Sequence, residues 1–313
     1  MNIAYMGTSA FAVPTLTRLF EEGFHISAVV TQPDKPSGRG QRMHAPPVKV
    51  KAHELQLQVY QPVTLKDDQA RALFEVLQPD MIVVVAYGKI LPPWLLKLPG
   101  FGALNLHGSL LPKYRGAAPI HWAVANGEME TGVCTMQVEE GLDTGPVYLS
   151  DKTTIEPDET VPQLSERLAI MGRELMVRTI RSVVDGSLKP MPQDQNQATM
   201  APMIRRHHGY IDWRDSAIRI HNQVRAFNPW PGTVTRFRGR VCKILRTRHI
   251  SAAGSEPGAI GSEKRSLTVG CGEGAALEIL ELQPENRKPI SGADFINGVR
   301  LVPGEKFERL TDN

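Results

Sequence analysis

Apolar positions along this chain follow different periods in its first and second parts. Up to about residue 186, short apolar runs alternate with amphipathic stretches. The runs Ile3–Met6, His25–Thr31, Val59–Gln61, Met81–Val85 and Ala103–His107 predict strands. Met81-Ile-Val-Val-Val85 is apolar at every position, as suits a strand covered on both faces. Between these runs, Ala10–Glu22 and Asp67–Leu77 predict helices. This alternation predicts right-handed crossovers and a mostly parallel sheet. Gly132–Val138 and Pro146–Lys152, joined by a Gly-rich turn, extend it antiparallel.

A longer helix follows. Thr160 with Gln163 forms a capping-box pattern, Leu164, Leu168, Met171 and Leu175 recur at helical spacing, and Gly186 terminates the run. Ser187–Pro202 then brings three prolines and the polar run Gln193–Thr199 with almost nothing to bury, and reads as a linker. Beyond it, one helical pattern (Arg214–Ala226) precedes the short strand candidates Thr233–Phe237, Val241–His249, Ser266–Val269 and Ala276–Leu282. Their spacing suits a small OB-like β-barrel closed by a helix near Gly292–Gly298. The expected fold is therefore α/β. A Rossmann-like, mostly parallel sheet occupies residues 1–186, a linker 187–204, and a basic β-barrel domain 205–313. No internal repeat is visible.

Composition narrows the class. At 313 residues the chain suits two domains, and 41% apolar with 22% charged residues is a globular balance. No stretch approaches 18 consecutive apolar residues, and the N-terminus opens directly on a strand pattern. The expectation is a cytoplasmic protein without a membrane span or secretory signal. Cys134, Cys242 and Cys271 are odd in number and widely spaced, which suits reduced thiols. The formal charge of +3 is unevenly spread: residues 1–204 carry −3 and residues 205–313 carry +6. Arg205–Ile250 alone holds 11 basic residues against Asp212 and Asp215. Such a run is either a solvated face or a polyanion-binding surface, and the interleaved Tyr210, Trp213, Phe227, Trp230 and Phe237 suit nucleic acid.

Open α/β sheets bind ligands beyond the carboxyl ends of their strands. The first such turn, Gly7-Thr-Ser-Ala-Phe11, lacks the later glycines of a dinucleotide fingerprint, which weakens a nicotinamide reading. At the end of the fifth strand, Asn105 and His107 lie two residues apart, so both side chains leave the same face just before Gly108. They can be a satisfied structural pair. They can equally serve acyl transfer, the amide donating to a developing oxyanion and the imidazole donating or moving a proton. No ligand spacing supports a metal on His107 and His121. Asp143 sits in a turn between Gly141 and Gly145. It can cap that turn or, if brought next to His107, favour an imidazolium or accept a proton from an amine.

Longer motifs go further. Asn105-Leu-His-Gly-Ser-Leu-Leu-Pro112, Tyr114-Arg-Gly-Ala-Ala-Pro-Ile120 and Glu140-Gly-Leu-Asp-Thr-Gly145 together resemble the formyltransferases that use 10-formyltetrahydrofolate. Five more segments narrow the resemblance to members that formylate methionyl initiator tRNA. They are Gly7-Thr-Ser-Ala-Phe11, Thr31-Gln-Pro-Asp-Lys-Pro-Ser-Gly-Arg-Gly40, Val83-Val-Val-Ala-Tyr-Gly-Lys-Ile-Leu-Pro92, Ile211-Asp-Trp213 and Arg225-Ala-Phe-Asn-Pro-Trp-Pro231. The similarity runs from Met1 to about Phe307.

The resemblance implies Asn105, His107 and Asp143 as the catalytic trio and Ser109, Leu110, Leu111 and Pro112 as the folate-lining segment. 10-Formyltetrahydrofolate would be the formyl donor, methionyl initiator tRNA the acceptor, with no metal, no membrane and no obligatory protein partner. The basic domain would track tRNA phosphates through residues such as Arg205, Arg206 and Lys243. The loop Gln32–Pro47, long for a βα connection, would reach the acceptor end with Arg39 and Arg42. One departure stands out. Met203-Ile-Arg-Arg-His-His-Gly209 carries arginines and histidines where such enzymes usually carry lysines before Ile-Asp-Trp. A substrate formylated at a small amine, or an RNA-binding module without catalysis, are the alternatives.

Overall fold

The computed structural model describes residues 1–37, 42–253, 256–262 and 266–310. The chain begins β1 (Asn2–Gly7), a 3-10 turn (Ala10–Ala12), α1 (Val13–Glu21), β2 (His25–Val30), β3 (Lys35–Ser37), β4 (Arg42–His44), α2 (Pro47–Glu54) and β5 (Val59–Tyr60). It continues α3 (Asp68–Leu77), β6 (Met81–Val85), α4 (Pro93–Leu96), β7 (Ala103–His107), α5 (Pro119–Ala125), β8 (Glu130–Gln137), β9 (Val147–Thr154) and α6 (Val161–Val184). After it come α7 (Ala217–Phe227), β10 (Thr233–Phe237), β11 (Arg240–Ala253), β12 (Ile260–Gly261), β13 (Thr268–Gly270), β14 (Ala275–Pro284), β15 (Ile290–Ser291) and α8 (Gly292–Val299).

Two compact units result. The first comprises Met1–Pro119, Glu130–Thr154 and Ser165–Pro202. The second comprises Ile120–Met129, Ile155–Leu164 and Met203–Asn313. This differs from a cut at residues 187–204. The second unit takes two short stretches from the first half, and the segment read as a linker belongs to the first unit. Met191 pairs with Val147 of β9 through reciprocal 2.8 Å backbone hydrogen bonds, so that segment is built into the sheet's edge.

The first unit carries a seven-stranded sheet in the order β5-β2-β1-β6-β7-β8-β9. The pairs from β5 to β7 are parallel, and β8 and β9 add antiparallel, as the alternating pattern predicts. Every residue of β6 is buried, because helices must cover both faces of a central parallel strand. Local signals start the helices. The Asp67 carboxylate accepts from the Ala70 N–H at 2.9 Å and caps α3. Gln163 accepts from the Thr160 N–H at 2.9 Å before α6. Helix α2 escapes the pattern because it buries only Val48 and Ala52, too few for a periodic signal. The long loop after β2 contains the β3–β4 hairpin, while residues 38–41, Arg39 among them, lie outside the described residues.

The second unit is an antiparallel sheet, β10-β11-β14-β13-β12, with β15 on β14. The C-terminal segment joins its edges by single bridges, Glu308 to Arg236 in β10 and Lys306 to Ala259 beside β12. The OB-like expectation is thus met as an antiparallel sheet whose ring is completed by a few backbone bonds. Its core gathers Trp213, Ile220, Val224, Ile244, Leu277 and Phe295. Among the described residues, no helix is long and apolar enough to cross a membrane.

Candidate active site

In the first unit the strand order reverses between β1 and β6, which opens a crevice at their carboxyl ends. Side chains knit those ends together. Thr8 Oγ and Gln32 Nε2 both donate to the Tyr87 carbonyl at 2.9 Å, linking the turns after β1, β2 and β6. Burial pushes the Tyr87 phenol up to about 12, so it stays protonated at neutral pH.

Strand β7 supplies Asn105 and His107. Leu106, between them, meets Gly172 of α6, so the pair leaves the opposite face of the sheet. His107 is 5% exposed. Its Nε2 lies 2.9 Å from the Tyr114 carbonyl. A carbonyl only accepts, so Nε2 carries the proton in that bond, and Nδ1 is the nitrogen left for the site. Nδ1 stands 3.7 Å from Asp143 Oδ2, close enough for electrostatic pairing when the ring is doubly protonated and too far for a direct hydrogen bond. Half-buried Asn105 has no side-chain hydrogen-bond partner among the described residues, which leaves its NH₂ for a ligand.

Asp143 has a φ of +53°, unusual for a side chain other than glycine. Its Oδ2 accepts from the Gly116 N–H at 2.9 Å. Gly116 has a φ of +124°, and a Cβ there would meet the Ala201 carbonyl at 2.7 Å, so the turn requires glycine. The loop between β7 and Gly116 is stitched to residues 193–201. Tyr114 N–H donates to Thr199 Oγ at 2.9 Å, Arg115 N–H to the Thr199 carbonyl at 2.9 Å, and Ala201 N–H to the Arg115 carbonyl at 2.6 Å. Sequence reading missed Tyr114, Gly116, Gln193 and Thr199 as neighbours of His107 and Asp143. The motif Tyr114-Arg-Gly marked the first two as special without showing what they hold.

The segment expected to line the folate site divides. Ser109 is fully buried, with its hydroxyl donating to the Lys113 carbonyl at 2.7 Å, and Leu110 packs over Gly132 of β8. These two side chains therefore serve the loop itself, leaving half-buried Leu111 and Pro112 as the candidates for lining a cleft. Cys134, beside His107 on β8, donates to the Ser109 carbonyl at 3.1 Å. Burial, reinforced by the Asp143 charge, pushes its thiol up to about 12, which excludes it as a nucleophile at neutral pH. Among the described residues, no group of three or more His, Cys, Asp or Glu side chains could hold a metal ion.

The basic stretch of the second unit also divides. Arg214, Arg219, Arg238 and Arg248 are paired with Asp212, Asp215, Glu305 and Glu278. Arg225 is buried, donating to the Asn222 side chain and to the Glu156 and Glu159 carbonyls. Arg205, Arg206, Lys243 and Arg246 are exposed and meet no carboxylate within 4.0 Å among the described residues, as does Arg42 in the first unit. The aromatic expectation is largely overturned. Trp213 and Phe227 are each 3% exposed and Phe237 packs on the core, because this small sheet needs its large rings inside. Trp230, 56% exposed, remains on the surface.

Comparison with known proteins identifies the family. The formyl transferase family matches residues 1–180, and the formyl transferase C-terminal domain matches residues 203–300. A methionyl-tRNA formyltransferase of Solibacter usitatus is 46% identical over 98% of this chain and 98% of its own. That of Acidobacterium capsulatum is 47% identical over 97% of this chain and 98% of its own. An N-formyltransferase of Helicobacter canadensis, solved with folinic acid and dTDP-3-aminofucose, shares the fold. It has a TM-score of 0.68 at 18% identity, covering 90% of this chain and 98% of that one. With both domains matched in order and relatives this similar end to end, the chain belongs to the methionyl-tRNA formyltransferase family.

Proposed function

We propose that this chain moves the formyl group of 10-formyltetrahydrofolate to the α-amine of methionyl initiator tRNA, with Asn105, His107 and Asp143 at the reacting atoms. The bond formed joins the methionyl nitrogen to the formyl carbon. The bond broken joins that carbon to N10 of the folate, and one proton passes from the amine to N10. An α-amine titrates near 8, so a useful neutral fraction exists at pH 7 without strong activation. Two tasks remain for the protein: to stabilise negative charge on the formyl oxygen and to handle the proton.

Asn105 offers its NH₂ to that oxygen, and His107, as an imidazolium paired with Asp143, offers Nδ1–H beside it while Nε2–H donates to the Tyr114 carbonyl. Asp143 receives the amine proton directly or through a water, its Oδ2 being oriented by Gly116 N–H. Leu111 and Pro112 line the folate cleft. The observation that carries this reading is the approach of His107 Nδ1 to Asp143 Oδ2 at 3.7 Å, with the amide of Asn105, unpartnered among the described residues, on the same strand face. Arg205, Arg206 and Lys243 bind tRNA phosphates, while Arg39 and Arg42 of the loop after β2 meet the acceptor end. A charged initiator tRNA as substrate implies work in the cytoplasm. The test is direct. Incubation with formyl-tetrahydrofolate and methionyl-tRNA should yield formyl-methionine after deacylation, and its absence in an assay where a known formyltransferase succeeds would overturn the reading.

A further inference from the structure

The side chain of Gln193 uses every hydrogen-bonding position it has. Its NH₂ donates to two carbonyls of the Asp143 turn, that of Asp143 at 2.9 Å and that of Gly145 at 2.6 Å. Its Oε1 accepts from Nε and Nη2 of Arg115 at 3.0 and 2.7 Å. Arg115 is 5% exposed and meets no carboxylate within 4.0 Å among the described residues. Its third donor goes to Gln195 Oε1 at 2.8 Å. The next residue, Gly116, holds the Asp143 carboxylate through its N–H. A closed ring results, from Gln193 to Arg115, along the backbone to Gly116, across to Asp143 and back to Gln193.

The choice of an amide within this ring is informative. A buried guanidinium without an acidic partner is expensive, and a glutamate at 193 would neutralise it better than a glutamine does. Glutamate, however, cannot donate to two carbonyls. Keeping the neutral amide beside a buried cation gives priority to gripping the Asp143 turn. That turn has a φ of +53° at Asp143, a conformation that needs outside ties to persist.

We propose that Gln193 is a positioning residue for formyl transfer, fixing the backbone of the Asp143 turn so that its carboxylate stands against His107. This rests on the roles given to His107 and Asp143 above. Gln193→Glu is the informative variant, since it keeps an acceptor for Arg115 and removes both donors to the turn. Its kcat should fall about 10- to 100-fold, the scale of a displacement near 1 Å. KM for methionyl-tRNA and for the formyl donor should each change less than twofold, and the thermal midpoint should hold. The double variant Gln193→Glu/Asp143→Asn should turn over no more slowly than Asp143→Asn alone, because Gln193 acts through Asp143.

A normal kcat in Gln193→Glu, with Asp143→Asn impaired, overturns the proposal and leaves the site assignment standing. A further loss in the double variant overturns it too, as does a loss of kcat together with folate affinity and thermal midpoint, which marks a merely structural residue. Should Gln193→Glu not fold, Gln193→Ala read by the same double-variant comparison decides between the same outcomes. A normal rate in Asp143→Asn contradicts the site assignment itself.

Discussion

The loop after β7 and the basic stretch of the second unit fix polar side chains in opposite ways. Around that loop, His107 at the end of β7, Arg115 within the loop and Asp143 in the turn between β8 and β9 are wholly or partly buried, and each has named partners within the unit. On the basic stretch, Arg205, Arg206, Lys243 and Arg246 stand in solvent without carboxylate partners among the described residues. A buried polar group has its geometry imposed by neighbours and suits chemistry that tolerates little displacement. An exposed cation contributes a diffuse field and suits a flexible polyanion. Changes in the loop should therefore appear in kcat, and changes on the stretch in KM and salt dependence.

The largest effect expected lies at His107. His107→Ala should lower kcat about 10²–10⁴-fold with the fold retained, as judged by circular dichroism. Near-normal turnover would remove the catalytic half of the contrast. Asn105→Asp should be about as damaging as Asn105→Ala, roughly 10²–10³-fold, because it replaces a donor facing an oxyanion by a charge of the same sign. If the aspartate variant turns over well, Asn105 merely packs.

The second unit has its own buried polar group, which tests whether burial rather than location sets the behaviour. His221 lies between Thr247 Oγ, 2.9 Å from Nδ1, and the Pro157 carbonyl, 3.2 Å from Nε2. Nε2–H donates to the carbonyl and the hydroxyl donates to Nδ1, so the neutral ring is fully satisfied. Burial pulls its pKa below the ordinary 6.5, against the opposing pull of the Pro157 carbonyl and Asp158. The folded chain then binds fewer protons than the unfolded one. This group's stabilisation is complete above pH 6.5 and is lost as pH falls from there, at up to about 1.4 kcal/mol per pH unit. Urea denaturation at pH 7 and pH 5 should show a smaller acid loss in His221→Gln than in the parent. An equal loss in both would shift the acid sensitivity to other groups.

The smallest effects belong to single exposed cations. Lys243→Ala or Arg205→Ala should raise KM for tRNA modestly and leave kcat unchanged. Removing one cation that neutralises a phosphate should reduce the log–log salt slope of binding by slightly less than one unit. A change in kcat without a change in slope would bring the stretch into the chemistry and erase the contrast.

How much of this was legible in the sequence follows from the range of each signal. Met81–Val85 announced a central strand because full burial demands an unbroken apolar run, and a run is a local property. Asn105 and His107 could be set on one strand face from their spacing alone. The same local reading misjudged Trp213, Phe227 and Phe237, since interleaving with charges does not reveal which side of a small sheet a ring occupies. It also could not show what Ser187–Pro202 touches. Having little to bury, that segment carries no apolar pattern, yet Met191, Gln193 and Thr199 are tied into the first unit by hydrogen bonds to backbone and side chains.

The sequence alone determined the alternation of strands and helices, the parallel core of the first sheet, the antiparallel strands of the second, and the motifs that mark the family. Each is carried by hydrophobic period or by residues adjacent in the chain. Tertiary structure alone decided which nitrogen of His107 faces the Tyr114 carbonyl, where the Asp143 carboxylate lies, and which groups Gln193 touches. Those facts depend on hydrogen bonds between groups far apart in sequence. Gln193 and Asp143 are separated by 50 positions and meet only through the fold. A directional bond of that kind leaves no periodic trace in the chain, because its partner is chosen by geometry rather than by composition.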